Sequence, residues 1–313
     1  MATIERGVPQ GSILGPFLYL VFANDLINFI RTTSTYITMV CYADDTNILI
    51  TEKNENSLKN TAEIIYRNII LWSNKNQLNL NTSKTKTILF SLRPGNTNVT
   101  LFENTNDCLA SSSESKMLGL VFDQGIKWCF HIEQLCARLR SGCYALNFLS
   151  KQCSQRVQLT LYYSNIHSHI RYGILNWGSS SQVNRVFLLQ KYAVRIMATL
   201  SYRESCRKAF RELKILTVAG TYIFECCVFV FKNRNDFFNT RVTHTYNTRT
   251  KELLLPATHS TALFQKSVFY NECRFFNALT PEIKKAPNIY IFKRRLKVFL
   301  INKNCYTIQE FFS

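Results

Sequence analysis

Apolar positions follow two rhythms along the chain, and the change between them falls near residue 123. In the first part Leu18, Phe22, Leu26 and Phe29 recur at helical spacing. They predict a helix to about residue 30, with Ser12 as N-cap and Pro16 in its early turns. Residues 36–41 and 46–51 have the β-branched and aromatic bias of strands. Between them lies Tyr42-Ala43-Asp44-Asp45, so a hairpin is expected with its acidic pair where the chain reverses. Leu58, Ala62, Ile65, Ile69 and Trp72 form one amphipathic stripe, a helix over residues 56–73. Residues 77–81 alternate as a strand does, Asn81-Thr82-Ser83-Lys84-Thr85 turns, and residues 87–90 resume β character. Residues 91–116 are rich in Ser, Thr and Asn and read as loops around short strands such as 99–102; residues 117–123 read as one more strand.

Beyond that strand the period is helical. Trp128, Ile132, Leu135, Leu139, Cys143 and Leu146 make one stripe, and Leu159, Tyr162, Ile166 and Ile170 a second. Val186, Leu189, Ala193, Ile196 and Leu200 make a third, with Lys191 and Arg195 off its apolar face. Residues 223–231 form a further apolar block, and 241–249 have turn character. Near the end, residues 292–300 are basic and amphipathic, expected to dock through Phe292, Leu296 and Phe299 with the charges outward. The pattern predicts an α+β fold: an antiparallel sheet with helices over 1–123, a helical domain over 124–215, and a basic helical region over 216–313.

Composition sharpens this division. With 313 residues and 46% hydrophobic content, about two globular units with real cores are expected, which excludes a disordered chain. The net charge of +18 points to a polyanionic partner, with nucleic acid the usual one and acidic membranes or proteins the alternatives. Residues 1–123 carry 10 Lys/Arg against 11 Asp/Glu, whereas residues 124–313 carry 28 against 9. The whole positive field therefore belongs to the second part, where Arg203, Arg207, Lys208, Arg211 and Lys214 crowd one short stretch. The 11 cysteines are odd in number and include no Cys-x-x-Cys pair. Cys129, Cys136 and Cys143 recur every seven residues, which puts them on one helical face rather than around a metal. A reducing, intracellular location and no membrane span are expected, because the apolar windows at 13–23 and 218–231 are too short for a bilayer.

Asp44 and Asp45 are the first candidates for chemistry. Adjacent carboxylates at a hairpin tip repel, an arrangement tolerated when a divalent cation sits between them or when both face water. Gly7 and Gly11 bracket Gln10 and let backbone approach a ligand closely, although such turns often only connect elements. Lys84 stands at a turn that equally suits a solvated lysine.

Taken together, these stretches resemble the reverse transcriptases of non-LTR retrotransposons, of the jockey-like type. Gly7-Val8-Pro9-Gln10-Gly11-Ser12-Ile13-Leu14-Gly15-Pro16 looks like the polymerase motif that contacts template and incoming nucleotide, and Tyr42-Ala43-Asp44-Asp45 like the catalytic hairpin. Leu80-Asn81-Thr82-Ser83-Lys84-Thr85 is similar to the following lysine motif. Leu118-Gly119-Leu120-Val121-Phe122-Asp123, with Trp128 and His131 beyond, is similar to the primer-gripping strand pair and thumb entrance. Further matches are Tyr172-Gly173 with Trp177-Gly178, Tyr246-Asn247-Thr248-Arg249, and Phe292-Lys293. These motifs keep the family's order and cover almost the entire chain.

The resemblance implies an incomplete polymerase palm over 1–123, a thumb-like domain over 124–215 and a basic C-terminal region. It implies two-metal nucleotidyl transfer with Mg²⁺ held by Asp44 and Asp45, and Lys84 placed to neutralise or protonate the leaving group. Gln10, Gly11 and Tyr42 would line the nucleotide, template and primer side, and Leu118 and Gly119 the primer grip. RNA template, DNA primer, dNTP and other retrotransposon-encoded domains are the implied partners. The family's palm needs another aspartate on an upstream strand, and only Glu5 is acidic ahead of Gly7. The expectation is therefore a C-terminal polymerase part, inactive or nearly so alone, with an exposed sheet edge and poor solubility. The competing class is a non-catalytic nucleic-acid-binding remnant. An unrelated carboxylate metallohydrolase would leave the Gln-Gly and lysine motifs unexplained.

Overall fold

The computed structural model describes residues 11–31, 37–43, 45–91, 110–234, 237, 253–254, 261, 264 and 267–313. It divides into two compact units, Met1–Ser115 and Lys116–Ser313. The fold is mixed and mainly helical, with small two-stranded sheets, as an α+β pattern requires.

In the first unit, α1 spans Gly15–Arg31, and the Ser12 hydroxyl accepts the Gly15 N–H at 3.0 Å in the expected capping role. Its buried line runs through Ala23, Leu26 and Ile30. The anticipated stripe is thus rotated, because Leu18 and Phe22 lie on the flank and stay 48% and 38% exposed. Strands β1 (Ile37–Tyr42) and β2 (Asp45–Ile50) pair antiparallel in the register Ile37↔Ile50 to Tyr42↔Asp45. Helix α2 (Glu55–Lys75) is capped by Asn54, whose side chain accepts the Ser57 N–H at 2.8 Å. Ile37, Met39, Ile48 and Ile50 from one hairpin face pack on Leu26, Ile30, Ile65 and Trp72. Alternation along the strands therefore seats the hairpin on both helices.

Two expectations fail in this unit. Residues 77–81 form no strand, since Gln77 turns left-handed (φ 56°) directly after the α2 cap. Residues 88–90 are irregular too: β3 is only Lys86–Thr87, pairing parallel with β4 (Ala110–Ser111). The expected strand at 99–102 and the turn segment at 241–249 lie outside the described residues.

The division between units falls inside β5 (Glu114–Met117), which is joined to β6 (Leu120–Asp123) by Leu118-Gly119. Of the single strand expected over 117–123, residues 120–123 are a strand, Met117 ends the preceding one, and Leu118-Gly119 is a tight turn between them. Leu118 (φ 47°) and Gly119 (φ 81°) both sit in the left-handed region, which breaks an apolar run that no sequence pattern divides.

The second unit is built from α3 (Cys129–Ser150), α4 (Gln155–Tyr162), α5 (Ser168–Arg171), α6 (Ile174–Trp177), α7 (Val183–Ala198), α8 (Arg207–Glu212), α9 (Val218–Lys232), α10 (Val268–Asn277), α11 (Pro281–Lys284) and α12 (Ile289–Lys303). A π-helical turn, Tyr163–His167, links α4 to α5. It explains why Tyr162, Ile166 and Ile170, four residues apart each time, are all fully buried: the wider turn keeps that spacing on one face. Ile132, Leu135, Leu139, Cys143 and Leu146 of α3 are buried as their periodicity requires. Buried Gln190 ties three elements together: its amide donates to the Tyr162 hydroxyl and the Leu216 carbonyl, and its oxygen accepts the Val218 N–H. Helix α12 docks through Phe292, Leu296 and Leu300 with Arg294, Arg295 and Lys297 outward and Lys293 and Lys303 half-buried, and Phe292 stacks on Phe231 at 4.2 Å. Half-buried Phe299 contributes less than its spacing promised. No described helix is long and apolar enough to cross a membrane.

Candidate functional site

The acidic turn is a product of strand pairing. Tyr42 and Asp45 are the last cross-strand partners, and Ala43, directly after Tyr42, is left-handed (φ 49°) as a tight reversal requires. Asp45 opens β2 with its side chain exposed, and Tyr42 opposite it is 64% exposed. Asp44 and Gln10 lie outside the described residues. Gly11 is left-handed (φ 86°), and a Cβ placed on it would meet open space, so its requirement is conformational rather than steric. Asp25 does not join the acidic set: its Oδ2 accepts the Trp72 indole N–H at 3.0 Å and braces α1 against α2.

Lys84 rides on a turn organised by Asn81. The Asn81 side-chain oxygen accepts the Ser83 hydroxyl at 2.7 Å and the Lys84 N–H at 3.1 Å, while its carbonyl accepts the Thr85 hydroxyl at 2.9 Å. The Lys84 side chain is exposed. Among the described residues no three His, Cys, Asp or Glu side chains gather as a metal cluster. The donors at the hairpin tip are hard carboxylate oxygens, the type Mg²⁺ takes, but two adjacent carboxylates leave a two-ion site short of fixed ligands.

In the second unit, Leu118 is 38% exposed at the tip of the β5–β6 hairpin. Behind it lies an aromatic row. Phe122 packs on Trp128 at 5.0 Å, Trp128 meets His131 edge-on at 6.1 Å, and His131 reaches Trp177 at 6.1 Å. Burial, and then the Arg138 charge, push the His131 pKa down, so this imidazole is a neutral packing element rather than a surface contact. Asp123 ends β6 and holds the following loop, its Oδ1 accepting the Lys127 N–H at 2.8 Å. One functional candidate had a sequence signal but no assigned role: the Tyr172 hydroxyl donates to the Leu118 carbonyl.

Outward faces of this unit combine rings and cations. Phe130, Tyr144 and Phe148 are 42%, 74% and 62% exposed along α3, on one line with Ala137 and Ser141. Exposed Arg138, Arg140, Lys151 and Arg156 lie on or near that helix, and Arg294, Arg295 and Lys297 on α12. The basic stretch 203–214 is less free than its composition suggested. Arg207 pairs with Glu310 at 3.1 Å, donates to the Asn304 carbonyl at 3.1 Å and lies 4.1 Å over the Tyr306 ring. Lys208 faces Glu212 at 3.6 Å.

Known proteins share this pattern over most of the chain. Residues 2–122 match the family described as reverse transcriptase (RNA-dependent DNA polymerase). Over about two thirds of its length the chain is similar to RNA-directed DNA polymerases of Drosophila mobile elements. It is 23% identical over 220 residues to the probable RNA-directed DNA polymerase from transposon X-element of Drosophila melanogaster, covering 69% of this chain and 24% of that protein. Against the probable polymerase from transposon BS it is 27% identical over 223 residues, covering 69% and 25%. The RNA-directed DNA polymerase from mobile element jockey, also of Drosophila melanogaster, is 25% identical over 221 residues, covering 68% and 24%. The chain thus spans about a quarter of the length of the curated relatives it matches. No solved structure matches.

Proposed function

We propose that this chain is the part of a retrotransposon RNA-directed DNA polymerase that presents an acidic catalytic hairpin and grips an RNA template paired with a DNA primer. The observation that carries the reading is the hairpin itself, whose last paired residues, Tyr42 and Asp45, are exposed while its strands pack on two helices. Asp44 and Asp45 are the residues that would hold Mg²⁺. The bound ions would supply charge neutralisation for a primer 3′ hydroxyl attacking a dNTP with loss of pyrophosphate.

The chain's own residues do the rest. Tyr42 packs beside the primer end, Gln10 and Gly11 line the nucleotide and template side, and Lys84, exposed on an ordered turn, meets the leaving phosphate charge. Leu118 and Gly119 form the tip that grips the primer, and residues 124–215 act as a thumb. Exposed rings and cations on α3, and cations on α12, hold the duplex backbone by counterion release, without sequence preference. Other domains of the same element would complete the site. With only two carboxylates at the hairpin, extension by this chain alone should be weak.

The test combines primer–template binding with Mg²⁺-dependent extension, for the parent chain and for Asp44→Asn and Asp45→Asn. The reading expects salt-sensitive binding that both variants keep, and weak extension that both variants lose. Extension that survives both substitutions, or no preference for primer–template over heparin, overturns it. Binding with no detectable extension moves the chain to the second reading, a non-catalytic nucleic-acid-binding remnant.

A further inference from the structure

The Tyr172-Gly173…Trp177-Gly178 pattern is a feature of the sequence that the polymerase reading leaves without a task. In the structure it lies directly under the β5–β6 hairpin. The Tyr172 hydroxyl donates to the Leu118 carbonyl, and its ring closes on the turn: a Cβ added at Gly119 would stand 3.4 Å from Tyr172 Cε1. Gly173, itself left-handed (φ 60°), sits against the next residue of the turn, where an added Cβ would come within 2.5 Å of Leu120 Cδ2. The Trp177 indole N–H donates to the Tyr172 carbonyl at 3.0 Å and fixes the segment from the core side. Trp177 is fully buried, so the anchor is rigid.

What this clamp holds is unusual. Leu118 is a branched, non-glycine residue at φ 47°, a conformation that costs energy and persists only where the surroundings over-determine it. Asn or Gly would make the same turn without strain. A partly exposed leucine (38%) held strained at a hairpin tip, with its carbonyl pinned by a tyrosine 54 residues away in sequence, is an arrangement that aims a side chain outward.

We infer that Tyr172 is a positioning residue that sets the Leu118-Gly119 turn for contact with the nucleic-acid primer. The inference rests on the proposed role of that turn as the primer grip. Tyr172 acts through the turn: its hydroxyl engages the Leu118 carbonyl, and its half-exposed ring supports Gly119. Gly173 and Trp177 make the clamp stiff.

Three variants test it in the full chain: Tyr172→Phe, which removes only the hydroxyl; Tyr172 replaced by 4-aminophenylalanine, which restores a donor at similar reach; and Leu118→Asp. Amide exchange of a peptide covering 116–121, melting temperature, and affinity for a primer–template duplex are read for each. Tyr172→Phe is expected to speed exchange in that peptide alone, to move the melting temperature little, and to weaken duplex binding about three- to tenfold, the equivalent of one lost hydrogen bond. The amino analogue should restore both. Unchanged exchange in Tyr172→Phe overturns the clamp. Faster exchange with unchanged binding, or no rescue by the amino analogue, overturns the positioning role. If Leu118→Asp leaves duplex binding intact, the primer-grip reading itself has failed, whatever Tyr172→Phe does.

Discussion

Glu272 should make the second unit lose stability as pH rises through the neutral range. Its side chain is fully buried on α10, neither carboxylate oxygen has a hydrogen-bond partner among the described residues, and the nearby thiols of Cys226 and Cys227 on α9 offer no countercharge. Burial pushes its pKa up from 4.5 to about 8. The sign follows from linkage. Below the unfolded value both states are neutral and the group is harmless. Between 4.5 and about 8 the unfolded chain releases a proton that the folded chain keeps, so stability falls as pH rises and levels off above the folded pKa. At about 1.4 kcal/mol per pH unit, the loss between pH 5 and pH 8 is on the order of 3–4 kcal/mol. Glu272→Gln keeps the shape and removes the charge. The variant should melt like the parent at pH 5 and be more stable by several kcal/mol at pH 8, read from denaturant midpoints at both pH values. If the parent and Glu272→Gln show parallel pH profiles, the carboxyl is solvated or paired, and the reasoning is wrong.

Other sites give sharper local tests. His167, in the π turn, has its pKa pushed down to about 4 by burial first and then by the Arg171 and Lys297 charges. Its contribution to stability should be present above about pH 6.5 and lost as pH falls towards 4, and His167→Gln should flatten that acid limb in thermal melts. Gly178→Ala would set a Cβ 2.4 Å from the Tyr222 ring and 2.6 Å from the Ile174 carbonyl oxygen. Since backbone cannot yield cheaply there, a cost of about 1–3 kcal/mol and a melting drop of several degrees are expected. Arg207→Ala should loosen the C-terminal segment by about 1–2 kcal/mol, less than a buried pair would cost because both partners are partly exposed, and raise amide exchange over residues 304–313.

The elements legible in the sequence were those whose burial is decided by one period. The α3 stripe from Ile132 to Leu146 and the Ala62–Ile65–Trp72 line of α2 are buried as the spacing of their apolar residues demands. The hairpin around Asp45 was legible for a related reason: alternation on both strands leaves the turn nowhere else to be. What escaped were places where the backbone departs from the residue's own preference. Gln77 ends a strand-like alternation by turning left-handed, and Leu118 splits an apolar run at a position where propensity favours extension. At Gln77 the end of α2 overrides the alternation, the Leu78 N–H donating to the Ser73 carbonyl at 2.8 Å; at Leu118 the overriding contacts come from a segment that a local pattern does not connect. Glu272 was invisible for the same reason, since nothing in its neighbours' periodicity says that a charged residue is wholly enclosed. The two hairpins therefore differ in kind. The acidic one follows from its own strands, whereas the Leu118-Gly119 turn depends on Tyr172, Gly173 and Trp177 more than fifty residues on. Resemblance could mark all these motifs, but only the three-dimensional contact joins the second turn to the residues that hold it.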